Sequence, residues 1–412
     1  MKFSTLSSLA LAVASAIASP ITLVNRDSSF DYNNDLVRGV NLGGWFVIEP
    51  FISPSLFEAF GDNGPLDEYT YTQQLGKDEA KKRLEKHWST WITENDIRQI
   101  AEWGFNHVRI PVGYWAFETF EGDPYVDGQL QYLDKALEWV ASNGLHAWVD
   151  LHGAPGSQNG FDNSGWRDHL EWQNGDNVEK TLKVIEKVAD RYASNPAVTA
   201  IEVLNEPLGP ALDMNRIKKF FQDGYKRIKD KNPNVNVVIH DAFQPIGSFN
   251  GFMQPPEYNG VILDHHQYQV FEVGQLQQSP EDHVSSACNI GKSMHGENLW
   301  RITAEWSAAM TDCTKWLNGV GTWSRYEGKF EDSPYIGSCA GTDDINTWSD
   351  DRKSNTRKYV EAQMDAYDQG NGWIFWTYKT ERSLEWDVSK LIKNGLFPQP
   401  LDDRQYQNQC GF

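Results

Sequence analysis

This 412-residue chain has only four cysteines, Cys288, Cys313, Cys339 and Cys410, all in its last third. No CxxC pair and no His-rich spacing accompanies them, so the sequence offers no metal-binding framework. Gly-rich dinucleotide turns, P-loops and Gly-x-Ser-x-Gly elbows are also missing, which argues against nucleotide-dependent and serine-hydrolase chemistry. No Asn-x-Ser/Thr sequon occurs, so N-glycosylation is not expected. Basic residues are scarce: 37 Lys and Arg face 57 Asp and Glu, for a net charge of −20. That balance sets aside nucleic acid and anionic membranes, which need a basic surface. No Pro/Gly/Ser linker, repeat or low-complexity block divides the chain, which favours a single domain.

What is present begins with a targeting segment. Lys2 precedes a small, apolar stretch over 6–18 that ends in Ala16-Ile17-Ala18, a small-x-small cleavage site. Residues 1–18 read as a signal peptide, and the stretch is too short to span a bilayer. Secretion follows, and an even cysteine count then permits two disulfides, with three pairings open. Aromatic residues make up 13% of the chain, including 17 Trp. They serve a large core and also suit sugar binding, where flat rings stack on pyranose faces.

Apolar runs recur at 37–42, 107–112, 146–151, 198–204, 235–240, 261–266, 301–305 and 373–376. They are largely continuous rather than alternating, as expected for strands buried on both faces of a parallel sheet. Amphipathic helical spacing lies between them at 93–103, 130–142, 178–193, 214–230 and 352–368. Eight strands with interleaved helices predict an α/β fold, a single (β/α)₈ TIM barrel, ahead of a doubly wound open sheet. Two stretches, 49–75 and 311–351, are long for loops and fall after the first and seventh strands, on the C-terminal face where barrel sites form.

The strand endings carry the chemistry. The first leads to Glu49, the second contains Arg109, and the third ends at His152. The fourth ends at Asn205-Glu206, the sixth at His265-His266-Gln267-Tyr268, the seventh at Glu305 and the eighth at Trp376. Two carboxylates without metal ligands suit glycoside hydrolysis, in which one carboxyl is protonated and the other ionised. Strands four and seven lie across a barrel from each other, so Glu206 and Glu305 can face one another over a sugar.

Asn205-Glu206-Pro207 after one strand, with Glu305 ending a later one, resembles glycoside hydrolase family 5. The segments Arg38-Gly39-Val40-Asn41-Leu42-Gly43-Gly44-Trp45, Val108-Arg109-Ile110-Pro111, Asp150-Leu151-His152-Gly153-Ala154-Pro155-Gly156 and Asp264-His265-His266-Gln267-Tyr268 narrow it to its fungal exo-β-1,3-glucanases. The resemblance implies a retaining enzyme that releases glucose from non-reducing ends of β-1,3-glucan, with transglycosylation when a sugar replaces water. An endo-β-glucanase or a broad β-glucosidase would use the same two glutamates. Glu206 is implied as acid/base and Glu305 as nucleophile, aimed by Arg109 and Tyr268. Asn205 is implied to bond the sugar 2-hydroxyl, His152 and His266 to sit near the first sugar, and Glu49 and Asn163 to bind hydroxyls at the closed end. Trp376 would form the platform, with Phe161 and Phe271 gripping the next glucose. Cys288 would pair with Cys410 and Cys313 with Cys339. Asn25-Arg26 stands where many relatives carry a dibasic pair, which marks 19–26 as a candidate propeptide and 27–412 as the catalytic domain. No cofactor is expected, and the protein is expected to be a secreted monomer, free or cell-wall associated.

Overall fold

Eight strands close into a parallel barrel in sequence order in the computed structural model, which describes residues 30–412. They are β1 (Val37–Asn41), β2 (His107–Gly113), β3 (His146–Gly153), β4 (Val198–Glu202), β5 (Asn236–His240), β6 (Val261–Gln267), β7 (Trp300–Trp306) and β8 (Gly372–Phe375). Each lies within a few residues of an apolar run in the sequence.

Along a strand, alternate residues share a face. The inward face changes character from bottom to top. Val37, Trp148, Ala200, Val238, Ile262, Ile302 and Ile374 pack into one apolar cluster inside the barrel. Tyr32 joins that cluster, and its hydroxyl bonds Trp148 Nε1 at 2.9 Å and Thr199 Oγ1 at 3.0 Å. Two residues further on, the same faces turn polar: Asp150 follows Trp148, Glu202 follows Ala200, His240 follows Val238 and Asp264 follows Ile262. All four are fully buried. The lower barrel is therefore packed and dry, and the upper barrel holds charge.

The predicted helices form at Glu94–Glu102, Leu130–Ser142, Asn177–Tyr192, Met214–Lys231 and Asp350–Tyr367. Thr93 starts the first with a capping box closed by Asp96. The sequence reading missed two long helices. Lys77–Trp91 buries Ala80, Leu84 and Trp88 at four-residue spacing beneath a heavily charged surface that masked the pattern. Pro280–Met294 opens with Ser279 as N-cap, Pro at its first turn and Asp282 closing a capping box. The stretch 49–75 is not one open loop, since it carries helices Pro54–Glu58 and Glu68–Leu75.

Both disulfides match the expected pairing. Cys288–Cys410 ties the chain end to the helix Pro280–Met294, and Cys313–Cys339 closes the segment after β7. No helix of the described residues is long and apolar enough to cross a membrane. The expected signal peptide, 1–18, and the candidate propeptide, 19–26, lie outside the described residues.

Candidate active site

Arg109 on β2 is the centre of the buried polar layer. Its Nη1 donates to Glu305 Oε1 at 2.8 Å and to Asn41 Oδ1 at 3.0 Å, and its Nε donates to Glu202 Oε2 at 2.7 Å. Its Nη2 donates to Asn205 Oδ1 at 2.7 Å and lies 3.1 Å from Asp150 Oδ2. A guanidinium fully removed from water needs such partners. Burial favours its neutral form, yet Asp150, Glu202 and Glu305 together hold it firmly charged. Burial pushes the Glu202 carboxyl well above the usual range, against the pull of Arg109.

Glu305 is held at both oxygens, because the Tyr268 hydroxyl donates to Oε2 at 2.9 Å. Burial raises its pKa, His266 and Arg109 oppose the rise, and Glu206 adds to it; the net direction is upward. Glu206 lies four residues past the end of β4 in the left-handed region, with φ 48°. That conformation is uncommon for a side-chain-bearing residue, and the following Pro207 narrows the choices further. The turn is held by buried neighbours: Gln158 Nε2 donates to Asn205 O at 3.0 Å, and Leu208 N–H donates to Gln158 O at 3.0 Å.

His266 joins the two acids. Its Nδ1 is 2.7 Å from Glu206 Oε1 and 3.4 Å from Glu305 Oε2, and its Nε2 is 3.2 Å from Asp264 Oδ2. With a carboxylate at each nitrogen the ring is an imidazolium. Burial alone would discharge it, but Glu305, Asp264 and Glu206 raise its pKa well above the ordinary value. Burial likewise favours a protonated Glu206. The bond and charge of His266, then His240 and the Asn163 amide, outweigh it and hold Glu206 down at about 2. Because both acids reach one nitrogen atom, their facing oxygens are no more than about 6 Å apart.

The remaining expected residues surround this pair. His152 donates from Nδ1 to Asp150 Oδ2 at 2.6 Å and stacks on Trp376, ring centres 5.5 Å apart and planes at 6°. Asn205 Nδ2, His152 Nε2 and Glu49 Oε1 are buried without a partner among the described residues. Burial, then Asp162, Glu305 and Glu206, push the Glu49 carboxyl well above its usual range. Asn163 was expected only at the closed end, yet its Nδ2 donates to Glu206 Oε2 at 2.9 Å. Phe161 and Phe271 are 41% and 40% exposed, in contrast with the buried pair. Phe161 has Phe243 as a ring neighbour, 6.4 Å away, and Phe271 meets Tyr268 at 5.6 Å.

Hydrogen bonds tie together three of the segments that follow the strands. Arg167 N–H donates to Asp67 Oδ2 at 2.6 Å, Tyr69 N–H to Gly165 O at 2.9 Å, and Arg167 Nη1 to Val320 O at 3.0 Å. The segments after β1, β3 and β7 are thereby joined. Gly165 is required there: its φ is +87°, and a Cβ would meet the Trp115 ring at 2.4 Å.

Sequence reading did not single out Asp150, Glu202, Asp264, Asn41, Asp162 or His240. Asp150 and Asp264 sit two residues before His152 and His266, so period-two counting back from each named residue would have found them.

The profile of the cellulase family (glycosyl hydrolase family 5) matches residues 72–381. The protein named glucan 1,3-beta-glucosidase 2 from Wickerhamomyces anomalus is 54% identical, covering 96% of both chains. Glucan 1,3-beta-glucosidase from Yarrowia lipolytica is also 54% identical, covering 99% of this chain and 100% of its own. Among solved structures, rutinosidase from Aspergillus niger shares the fold with a TM-score of 0.72 at 20% identity, over 90% of this chain and 99% of that one. With three quarters of its length under the family profile and full-length relatives at such identity, this chain belongs to glycosyl hydrolase family 5.

Proposed function

We propose that the protein is a secreted, retaining exo-β-1,3-glucanase that releases glucose from the non-reducing ends of the chain. The observation that carries the mechanism is the shared contact of Glu206 and Glu305 with His266 Nδ1. It keeps the acids closer than the roughly 6.5–9.5 Å an inverting enzyme needs to seat a water between them.

In the first step a Glu305 oxygen attacks the anomeric carbon while the glycosidic oxygen leaves with a proton from Glu206. The resting carboxyl of Glu206 is low, so the proton waits on His266 Nδ1, one 2.7 Å hydrogen bond away. Its transfer to Oε1 turns an ion pair into a neutral pair, and Glu206 passes it on. In the second step water attacks the glucosyl ester on Glu305, and Glu206 takes the water's proton. Arg109 and Tyr268 stabilise the departing Glu305 carboxylate. Asn205 Nδ2, freed because its oxygen is bonded to Arg109, suits the sugar 2-hydroxyl.

β-1,3-Glucan as substrate is supported by the names of the near-full-length relatives. Exo action is supported by the knitted loops after β1, β3 and β7, with Glu49 and Asn163 inside them. Secretion is supported by the reading of 1–18 and by two disulfides, which persist in oxidising compartments. The test is the early product profile on linear β-1,3-glucan, followed by proton NMR. Glucose alone, released as the β-anomer, is the expected result. A ladder of oligosaccharides overturns exo action, and initial α-glucose overturns Glu305 as nucleophile.

A further inference from the structure

His240 ends β5 inside the polar layer, fully buried and outside the set of residues that the two-step chemistry uses. Burial, then the charge of His266, hold its pKa down at about 4, so the ring is neutral at working pH. A neutral imidazole carries one N–H, and here the tautomer is fixed. The Ala242 N–H donates to Nδ1 at 2.9 Å, so Nδ1 is the acceptor and Nε2 holds the hydrogen. That Nε2–H has no partner among the described residues.

Its position is telling. A ring nitrogen of His240 lies within 4.8 Å of both a Glu206 oxygen and a His266 nitrogen. The ring meets His266 edge-on at 4.4 Å and Phe243 at 5.2 Å, and Phe243 faces Phe161 at the rim. His240 thus links the acid/base and His266 to the exposed rings of Phe243 and Phe161. The same trio does not make a cation site: both His266 nitrogens are bonded to carboxylates, and the free edge of His240 bears a proton. Glu49 Oε1, His152 Nε2 and Asn205 Nδ2 are also unpartnered among the described residues and belong to residues suited to hold the sugar, whereas Asp150 Oδ1, Glu202 Oε1 and Asp162 Oδ2, unpartnered too, are acceptors; Nε2 of His240 is a donor like Asn205 Nδ2. An unmet buried donor is disfavoured by about 1–3 kcal/mol, so a partner that arrives with substrate accounts for this one as well.

We propose that His240 is a substrate-binding residue whose Nε2–H donates a hydrogen bond to a hydroxyl of the leaving sugar beside Glu206. This rests on the reading of the site as a β-glucan hydrolase. His240 also braces its own turn, since Ala242 and Phe243 both have positive φ, 52° and 57°. Two variants separate these duties. His240→Asn places an oxygen near the position of Nδ1 and removes the Nε2–H. His240→Gln places an amide near Nε2 and removes the Nδ1 acceptor.

The measurement is kcat/KM on laminaribiose and on p-nitrophenyl β-glucoside, whose leaving group has no sugar hydroxyl. His240→Asn is expected to lower laminaribiose turnover about ten-fold more than aryl glucoside turnover, equivalent to about 1.4 kcal/mol. His240→Gln is expected to bring that ratio back to within about three-fold of the parent. In the parent, removing the leaving glucose's hydroxyls one at a time should expose a single position worth about ten-fold, and this reading does not depend on any variant folding. Equal losses on both substrates in His240→Asn, or no such hydroxyl in the parent, overturn the proposal. A parent that cleaves neither substrate removes the hydrolase reading and this proposal together.

Discussion

Glu305 is gripped at both oxygens by Arg109 of β2 and by Tyr268, one residue past β6. Glu206 is held instead by His266 and by Asn163, the latter on the segment after β3. The first setting is rigid and includes a cation wired into four other side chains. The second contains a transferable proton and an amide on a surface segment. A nucleophile needs a fixed aim and a stabilised negative charge. An acid/base must gain and lose a proton within one turnover, so its partners have to tolerate both states.

The sharpest way to break this contrast is to neutralise each acid in turn. Glu305→Gln should lower kcat/KM by at least about 10⁴-fold on any β-glucoside while leaving the thermal midpoint nearly unchanged. Retention of near-normal rate would reverse the assignment. Glu206→Gln should lower kcat/KM about 10²–10⁴-fold on laminari-oligosaccharides. On 2,4-dinitrophenyl β-glucoside, whose leaving group needs no proton, the loss in kcat/KM should be much smaller. Equal losses on both substrates would erase the distinction between the two residues.

Smaller changes test the settings rather than the acids. Tyr268→Phe removes a donor to the Glu305 carboxylate and should slow turnover about ten-fold. Its sign in pH is fixed. The Glu305 pKa is already raised, and activity needs the ionised form, so activity is lost as pH falls through that pKa. Losing a donor to the charged form raises the pKa further, so the acid limb of kcat/KM must move to higher pH. A shift to lower pH would contradict the geometry. Asn163→Ala should have the smallest effect, roughly three- to ten-fold, mostly in KM. It removes a donor to the ionised Glu206 and so raises that carboxyl from its low value, while the alkaline limb, set by the proton held on His266, should stay in place in the same pH profile.

The sequence made the barrel and the two acids legible for a physical reason. Each strand is a continuous apolar run, and each acid stands where such a run stops. The supporting layer was hidden because Asp150, Glu202, His240 and Asp264 lie within or at the end of those same runs, where an inward polar residue looks like an interruption. Only closure of the sheet brings Glu202 of β4 to Arg109 of β2, 93 positions apart. The helix Lys77–Trp91 was missed because its surface charge outweighed its narrow apolar stripe. Asn163 was placed at the closed end, but its bond to Glu206 spans 43 residues and has no local signal.

The Asn163 bond links two properties that could have evolved separately. The segment after β3 that is tied to those after β1 and β7 also supplies a donor to the catalytic acid. A lineage drifting toward open, internal cleavage would have to shorten that segment, and the shortening would strip Glu206 of a neighbour. Its first open-ended descendants would therefore carry a retuned acid as well as a longer groove.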